Sequence, residues 1–199
     1  MLVIGVETGE ISPERVQWTG RRHDDDGAES TGAATPQGLF DAVFAALHDG
    51  EQVAIGFDCS LTVPADHLGS TDAELIVARA RDLPVGPGID QLRRLVKELG
   101  TWRPWTIVTT SLPRWRATTS VLLWQADPAP GAEHTAASAI DAFYATIRRG
   151  DQPGAGGDDE ALINLAAAAA LDSDVTADHA ELTRPALRIP VESQVLARH

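Results

Sequence analysis

Two short apolar runs, each followed at once by a carboxylate, constrain the fold of this chain most strongly. Leu2–Val6 is rich in β-branched residues and Gln52–Phe57 is strongly apolar, which indicates two buried β-strands. Glu7 follows the first run and Asp58 follows the second. Two interpretations stay open, because an acid after a strand can join a paired site or can simply cap the next turn or helix.

The rest of the chain alternates between helical and extended patterns. Apolar spacing predicts helices over 36–50, 71–83, 89–100, 135–150 and 160–171, and extended segments over 15–19, 105–110, 120–126 and 185–193. The segment 120–126 also tolerates a helix, and 20–38 is either a loop or a weak edge hairpin. This order predicts an α/β fold, a mixed sheet flanked by helices, in which sites form where the carboxyl ends of strands meet loops.

Length and charge limit the classes of protein to consider. The 199 residues, 43% of them hydrophobic, predict one domain over 1–199 with a helical insertion at about 68–100. A net charge of −13 argues against a protein that coats nucleic acid broadly, although a focused site could still bind it through a basic patch or metal ions. We expect a cytoplasmic protein without a membrane partner, since we find no signal peptide and no apolar run long enough to span a bilayer.

Cys59 is the single cysteine, so the chain cannot form an intramolecular disulfide. It follows Asp58 directly, but no nucleophile-elbow pattern surrounds it. The sequence therefore predicts a small buried thiol, not a catalytic one.

Four segments resemble a known family in their order along the chain. They are IGVETG, VAIGFDCSLTVP, RWRATTSVLLWQA and EALINLAAAAAL. Together they resemble RNase H-like proteins, and most of all a bacterial family of predicted RNase H-like nucleases. The resemblance implies an RNase H-like mixed sheet flanked by helices. It also implies hydrolysis of phosphodiester bonds by two Mg²⁺ or Mn²⁺ ions about 4 Å apart, one activating water and one stabilising the leaving oxygen.

The resemblance assigns roles to individual acids. Glu7 matches the acid of the first strand, and Asp58 matches the acid of the middle strand. A third acid is expected from the start of the last helix, among Asp158, Asp159 and Glu160. We therefore expect Glu7, Asp58 and Glu160 to be catalytic, and those three with Asp159 to bind metal. The three late acids are equally explained as favourable charges at a helix N-terminus.

The chain departs from the family pattern in three places. Glu7 stands where the family has Asp, and Gln125 stands where relatives usually have Glu. Asn164, expected one helical turn after Glu160 and on the same face, stands where many RNase H-like proteins place Asp. Amides in place of acids weaken the binding of divalent metal. The resemblance is therefore compatible with an altered site or with an inactive relic.

The segment PRWRATT supplies a candidate substrate contact. Arg114 and Arg116 could clamp a phosphate, with Trp115 as a stacking face. The alternative is a surface loop with Trp115 packed on the core. Because the family commonly carries an arginine and a threonine here, the resemblance makes Arg116 the expected substrate contact.

Three functions remain in competition. The first is a metal-dependent nuclease or related phosphodiester hydrolase, whose partner would be nucleic acid or a nucleotide. The second is a catalytically silent RNase H-like scaffold that binds a nucleotide or a protein partner, and Gln125, Asn164 and the acidic charge favour it. The third, a phosphate binder of the actin or sugar-kinase type, is disfavoured because the chain is too short for the usual two lobes. The oligomeric state is left open.

Overall fold

A mixed β-sheet with helices on both faces forms the centre of the fold. The computed structural model describes residues 1–8, 17–24, 27–33, 35–70, 72–118, 120–128, 135–149 and 161–191. The strands are β1 (Leu2–Glu7), β2 (Gln17–Asp24), β3 (Gly27–Ala33), β4 (Val53–Phe57), β5 (Thr62–Pro64), β6 (Ile107–Thr109), β7 (Ser120–Pro128), β8 (Leu162–Asn164) and β9 (Arg188–Val191). The helices are α1 (Pro36–His48), α2 (Ala73–Asp82), α3 (Pro87–Trp102), α4 (Leu112–Ala117), α5 (Ala136–Arg149) and α6 (Leu165–Asp172).

The main sheet joins an antiparallel half to a parallel half. Its strand order is β3-β2-β1-β4-β7-β6, and β9 pairs with β7. The β1–β2 and β2–β3 pairs are antiparallel, whereas β1–β4, β4–β7, β6–β7 and β7–β9 are parallel. The carboxyl ends of β1, β4, β6, β7 and β9 therefore point the same way, and we call the side where they end the carboxyl edge of the sheet. The predicted α/β fold with a mixed sheet flanked by helices is confirmed.

Alternation along the strands divides the core into two layers. Leu2, Ile4 and Val6 of β1 join the apolar cluster formed with α1, α2, α3 and α6, whereas Val3 points to the other face, where α4 and α5 pack. All five residues of β4 are buried, as expected for a strand with neighbours on both sides and helices on both faces. The apolar runs that predicted strands are thus the central strands of the sheet.

Most predicted elements lie where the sequence patterns put them, and two ambiguities are resolved. Residues 17–24 and 27–33 form the antiparallel hairpin β2–β3 at one end of the sheet. The segment 120–126 is the strand β7, with parallel neighbours β4, β6 and β9. Long-range pairing decided both, because it satisfies the backbone hydrogen bonds of segments whose local pattern was weak.

The helix predicted over 160–171 is wrong at its start. Residues 162–164 form β8, which pairs antiparallel with β5, and α6 begins at Leu165. Asn164 is the N-cap of α6: its side-chain oxygen accepts hydrogen bonds from the backbone N–H groups of Ala166 and Ala167, both at 3.1 Å. The expectation that Glu160 and Asn164 share a helix face is therefore also wrong.

Helices α2 and α3 occupy the region expected to hold a helical insertion, and α6 packs against both of them. Helix α6 buries Leu165 and the five alanines that follow it, whose small side chains permit close packing. Among the described helices, none combines the length and the apolar character that crossing a bilayer demands.

Candidate functional site

Glu7 and Asp58 lie side by side at the carboxyl edge of the sheet. In the parallel pairing of β1 with β4, Val6 stands opposite Phe57, and Glu7 and Asp58 are the next residues on the two chain segments. Adjacent strands are about 4.8 Å apart. The structure therefore brings together the two acids that the sequence singled out, although 51 positions separate them along the chain.

One oxygen of each carboxylate is held by a backbone N–H group. Asp58 Oδ1 accepts a hydrogen bond from Thr8 N at 2.7 Å and another from the Thr8 hydroxyl. Glu7 Oε1 accepts from Ala136 N, at the start of α5, at 2.6 Å. No residue in the described ranges bonds the second oxygen of either carboxylate. Each acid thus makes the local contacts of a cap and keeps one oxygen for another ligand.

Two glycines allow helix starts to approach these acids. A Cβ at Gly5 would lie 2.3 Å from the carbonyl oxygen of Ala136, so only glycine lets α5 begin close enough to β1 for its N–H group to reach Glu7. A Cβ at Gly88, near the start of α3, would lie 2.5 Å from Cys59 Sγ and 2.7 Å from Thr8 Cγ2. The starts of α3 and α5 therefore meet the carboxyl edge at the acids.

Cys59 follows Asp58 and is partly buried against the start of α3. Burial and, to a smaller extent, the negative charge of Asp58 raise the pKa of its thiol to about 12, against the opposing effect of a hydrogen bond with Thr8. The thiol is therefore protonated near neutral pH and is a poor nucleophile. The sequence predicted a small buried thiol, and the structure gives a thiol that is partly buried.

The third predicted carboxylate lies outside the described residues, as Asp158, Asp159 and Glu160 all do. Within the described part of the chain, no group of three or more His, Cys, Asp or Glu side chains could hold a metal ion. The described part of the candidate site thus consists of Glu7 and Asp58, with Thr8 and Cys59 beside them.

Gln125 and Asn164, the two amides at which the chain departs from the pattern that it resembles, are built into the fold. The side-chain oxygen of Gln125, a buried residue, accepts from Leu61 N at 3.1 Å and so holds the turn that follows Asp58. Asn164 is fully buried, and its amide nitrogen donates to Thr110 Oγ1 at 2.8 Å and to the carbonyl of Arg184 at 3.2 Å. Both amides are used for packing and capping.

The predicted phosphate contact Arg116 is not brought to these acids. It is exposed on α4, and its neighbour Trp115 is buried with its indole N–H donating to the carbonyls of Val53 and Ser120, at 3.1 and 3.0 Å. Val53 begins β4, so it lies five residues, or about 16 Å, before Asp58 along the strand. Trp115 therefore packs on the core and is not a stacking face.

Arg114 is not available as a phosphate clamp either. Its guanidinium pairs with Asp178 at 2.9 Å and with the buried carboxylate of Glu181 at 3.3 Å. Glu181 also accepts from both hydroxyls of Thr109 and Thr110 and from Thr110 N. Sequence reasoning missed this network, because nothing in the pattern around Glu181 distinguishes a buried acid from an exposed one.

We compared the chain with protein-family models, with curated proteins and with solved structures, and no match was found.

Proposed function

We propose that this protein is an RNase H-like, divalent-metal-dependent nuclease, a hydrolase that acts on phosphodiester bonds at Glu7 and Asp58. The observation that carries the proposal is the register of β1 and β4, which sets Glu7 and Asp58 at neighbouring positions at the carboxyl edge. Ligand sites of open α/β sheets form at this edge. The mixed sheet flanked by helices is also the architecture that the sequence resemblance implies.

The chemistry of Glu7 and Asp58 fits a hard cation. Carboxylate oxygens are the ligands that Mg²⁺ and Mn²⁺ prefer, and Mg²⁺ is commonly held by one or two carboxylates with water completing its shell. Each acid has one oxygen that no described residue occupies. The pair therefore suits one cation, and a second would need another carboxylate, for which Asp159 and Glu160 remain the predicted sources.

A bound cation would supply the activation of water and the stabilisation of the leaving oxygen. The residues of the chain hold the two carboxylates in place. The Thr8 N–H and hydroxyl groups fix Asp58, and the first N–H of α5 fixes Glu7, so both carboxylates are oriented before any ligand arrives. Fixed donors and acceptors of this kind reduce the reorganisation that binding a ligand requires. The net charge of −13 would repel a phosphate backbone, so a bound cation would help the site to hold one.

Arg116 keeps a proposed role only for an extended substrate. Its neighbour Trp115 bonds the carbonyl of Val53, which lies about 16 Å before Asp58 along β4. Arg116 would then contact a phosphate distant from the bond that is cleaved. The phosphodiester bond that is cleaved would lie at Glu7 and Asp58.

A silent RNase H-like scaffold that binds a nucleotide or a protein partner is the second candidate. The observation in its favour is that Gln125 and Asn164 are buried and form hydrogen bonds within the fold. Amides at these two positions contribute no charge to a metal site. Under this candidate the carboxyl edge recognises a partner without hydrolysing it.

Melting temperature measured during a Mn²⁺ titration separates the two candidates. Binding to the folded state alone should raise the melting temperature by about 5–10 °C when free Mn²⁺ exceeds its dissociation constant about 100-fold. The variants Glu7→Gln and Asp58→Asn should lose this rise. Each keeps the oxygen that accepts the N–H group of Ala136 or Thr8 and loses only the charge, so the fold is retained.

Glu74→Gln is the matched control, since Glu74 is an exposed acid on α2. It should respond to Mn²⁺ as the wild type does. A wild-type melting temperature that does not change with Mn²⁺ or Mg²⁺ would exclude the nuclease and leave the scaffold as the remaining candidate. With a positive titration, Mn²⁺-dependent cleavage of single-stranded, duplex and hybrid oligonucleotides then measures activity, which Glu7→Gln and Asp58→Asn should abolish.

A further inference from the structure

We propose that a pocket between α2, α3 and α6 binds a compact polyvalent anion that carries phosphate groups. The pocket has a volume of about 230 Å³ and is lined by the cationic side chains Arg81, Arg93, Arg94 and Lys97. These are four of the 16 basic residues of the chain, and Lys97 is its only lysine. Among the described residues that line this pocket, Asp172 is the one acid.

The cations differ in how firmly they are held. Arg93 is fixed, because its guanidinium donates to the carbonyls of Ala80 at 2.5 Å and Leu83 at 3.2 Å, at the end of α2, and pairs with Asp90 at 3.1 Å. It joins α2 to α3 and shapes the wall of the pocket. Arg81 has only weak ion pairs, at 3.3 Å to Asp82 and 3.5 Å to Asp172.

Lys97 and Arg81 are the side chains best able to turn toward a ligand. No residue in the described ranges bonds the Lys97 ammonium, and the Arg81 side chain is 56% exposed. An arginine fork and a lysine point charge are the groups that proteins use to hold phosphate oxygens. Exposed ion pairs such as those of Arg81 are weak, so an anion can compete for the guanidinium.

The charge distribution favours an anion at this place. The whole chain carries a net charge of −13, yet Arg93, Arg94 and Lys97 fall within five residues of α3. Like charges at i and i+4 of a helix repel and destabilise it. A cleft lined by one sign of charge concentrates the opposite ion. A bound polyanion would relieve the repulsion, and it would therefore stabilise the folded protein.

The size of the pocket selects a small ligand. The volume of about 230 Å³ is below the range of about 300–1,000 Å³ typical of drug-sized ligands, and it equals the share of about eight liquid waters. Ala168 and Ala169 of α6 line it without polar groups. Pyrophosphate, or the diphosphate of a nucleotide, matches this size and the number of cations.

Differential scanning fluorimetry with inorganic pyrophosphate tests the proposal. In buffer containing EDTA, saturating pyrophosphate should raise the melting temperature by about 5 °C or more above a NaCl control of equal ionic strength. The double variant Arg81→Gln/Lys97→Gln should lose this rise and should show at least a tenfold weaker affinity by calorimetry. The double variant Arg148→Gln/Arg188→Gln, which removes two exposed arginines that do not line the pocket, is the charge-matched control and should behave as the wild type.

The outcomes separate this site from the one at Glu7 and Asp58. Because EDTA removes divalent cations, binding that survives in Glu7→Gln and Asp58→Asn belongs to the pocket and not to a metal bridge. Equal affinity for pyrophosphate and ADP would assign recognition to the phosphates alone, and tighter ADP binding would identify a nucleoside diphosphate as the source. The proposal would be overturned if NaCl of equal ionic strength raised the melting temperature as much as pyrophosphate does. It would also be overturned if the double variant Arg81→Gln/Lys97→Gln showed the same rise as the wild type.

Discussion

At the scale of single residues, Thr8 links the acids of the candidate site. It follows Glu7 in the chain, donates to Asp58 through both its N–H and hydroxyl groups, and lies against Gly88 with Cys59. One small polar residue thereby holds the end of β1, the turn after β4 and the start of α3 together. Cys59 also lies beside Thr8 and Gly88, and the protonation of its thiol affects stability in a way that can be measured.

We predict that Cys59 makes the stability of the protein fall at alkaline pH. The pKa of the folded thiol is about 12, and that of an unfolded thiol is about 8.5. Above about pH 8.5 the unfolded chain releases this proton and the folded protein keeps it, so the free energy of unfolding decreases by up to about 1.4 kcal/mol per pH unit until the folded thiol also ionises. Below about pH 8.5 the contribution is constant.

Urea unfolding of the wild type and of Cys59→Ala at about pH 7.5 and pH 10 measures this effect. The wild type should lose more stability between the two pH values than the variant does, because only the wild type has the thiol. The comparison cancels the other groups that titrate in the same range. A difference between the two proteins that is independent of pH would contradict the prediction.

At the scale of elements, Glu181 connects segments that are far apart in sequence. Its buried carboxylate binds the end of β6 through Thr109 and Thr110 and binds α4 through Arg114. Thr110 in turn accepts from Asn164, the N-cap of α6. The network therefore fixes β6, α4 and the start of α6 relative to one another through charge-assisted hydrogen bonds.

We predict that Glu181→Ala lowers the free energy of unfolding by about 3–5 kcal/mol, because it leaves Arg114 and two threonine hydroxyls without their shared acceptor. Asp127→Ala is the control, since Asp127 pairs with Arg188 at 2.6 Å where both side chains are about 40% exposed. That change should cost about 1 kcal/mol or less. Similar losses in the two variants, measured by chemical denaturation, would show that Glu181 is not a buried anchor.

At the scale of the whole molecule, the central strand of the sheet is the one best protected from solvent. Strand β4 lies between β1 and β7 and is buried along its whole length, whereas β3 ends the strand order. Opening β4 requires both faces of the sheet to separate from their helices. Opening β3 requires only the loss of its pairing with β2.

We therefore expect the amide hydrogens of β4 to exchange slowest and those of β3 to exchange much faster. Hydrogen exchange followed by mass spectrometry measures this gradient, with β1 and β7 expected close to β4. Equal protection of β3 and β4 would contradict the prediction, and it would indicate that something covers the outer edge of β3, such as a second copy of the chain.

Local pattern predicted those parts of the fold where one face of an element is apolar. The runs that became β1 and β4 and the apolar faces of α1, α3 and α5 are visible in the sequence, because burial repeats with the period of the element. The same pattern failed at 160–171, where Leu162–Asn164 resembles helix but pairs with β5. Pairing with a distant segment outweighed local propensity there.

The sequence by itself determined that Glu7 and Asp58 end two buried strands, since a carboxylate after an apolar run is a local feature. Only the tertiary structure decided that those strands are parallel neighbours, that Arg116 lies near the opposite end of β4, and that Glu181 is buried. It also gathered the cations of α2 and α3 into one pocket. These facts depend on contacts between segments distant in sequence, whose energies no local pattern contains.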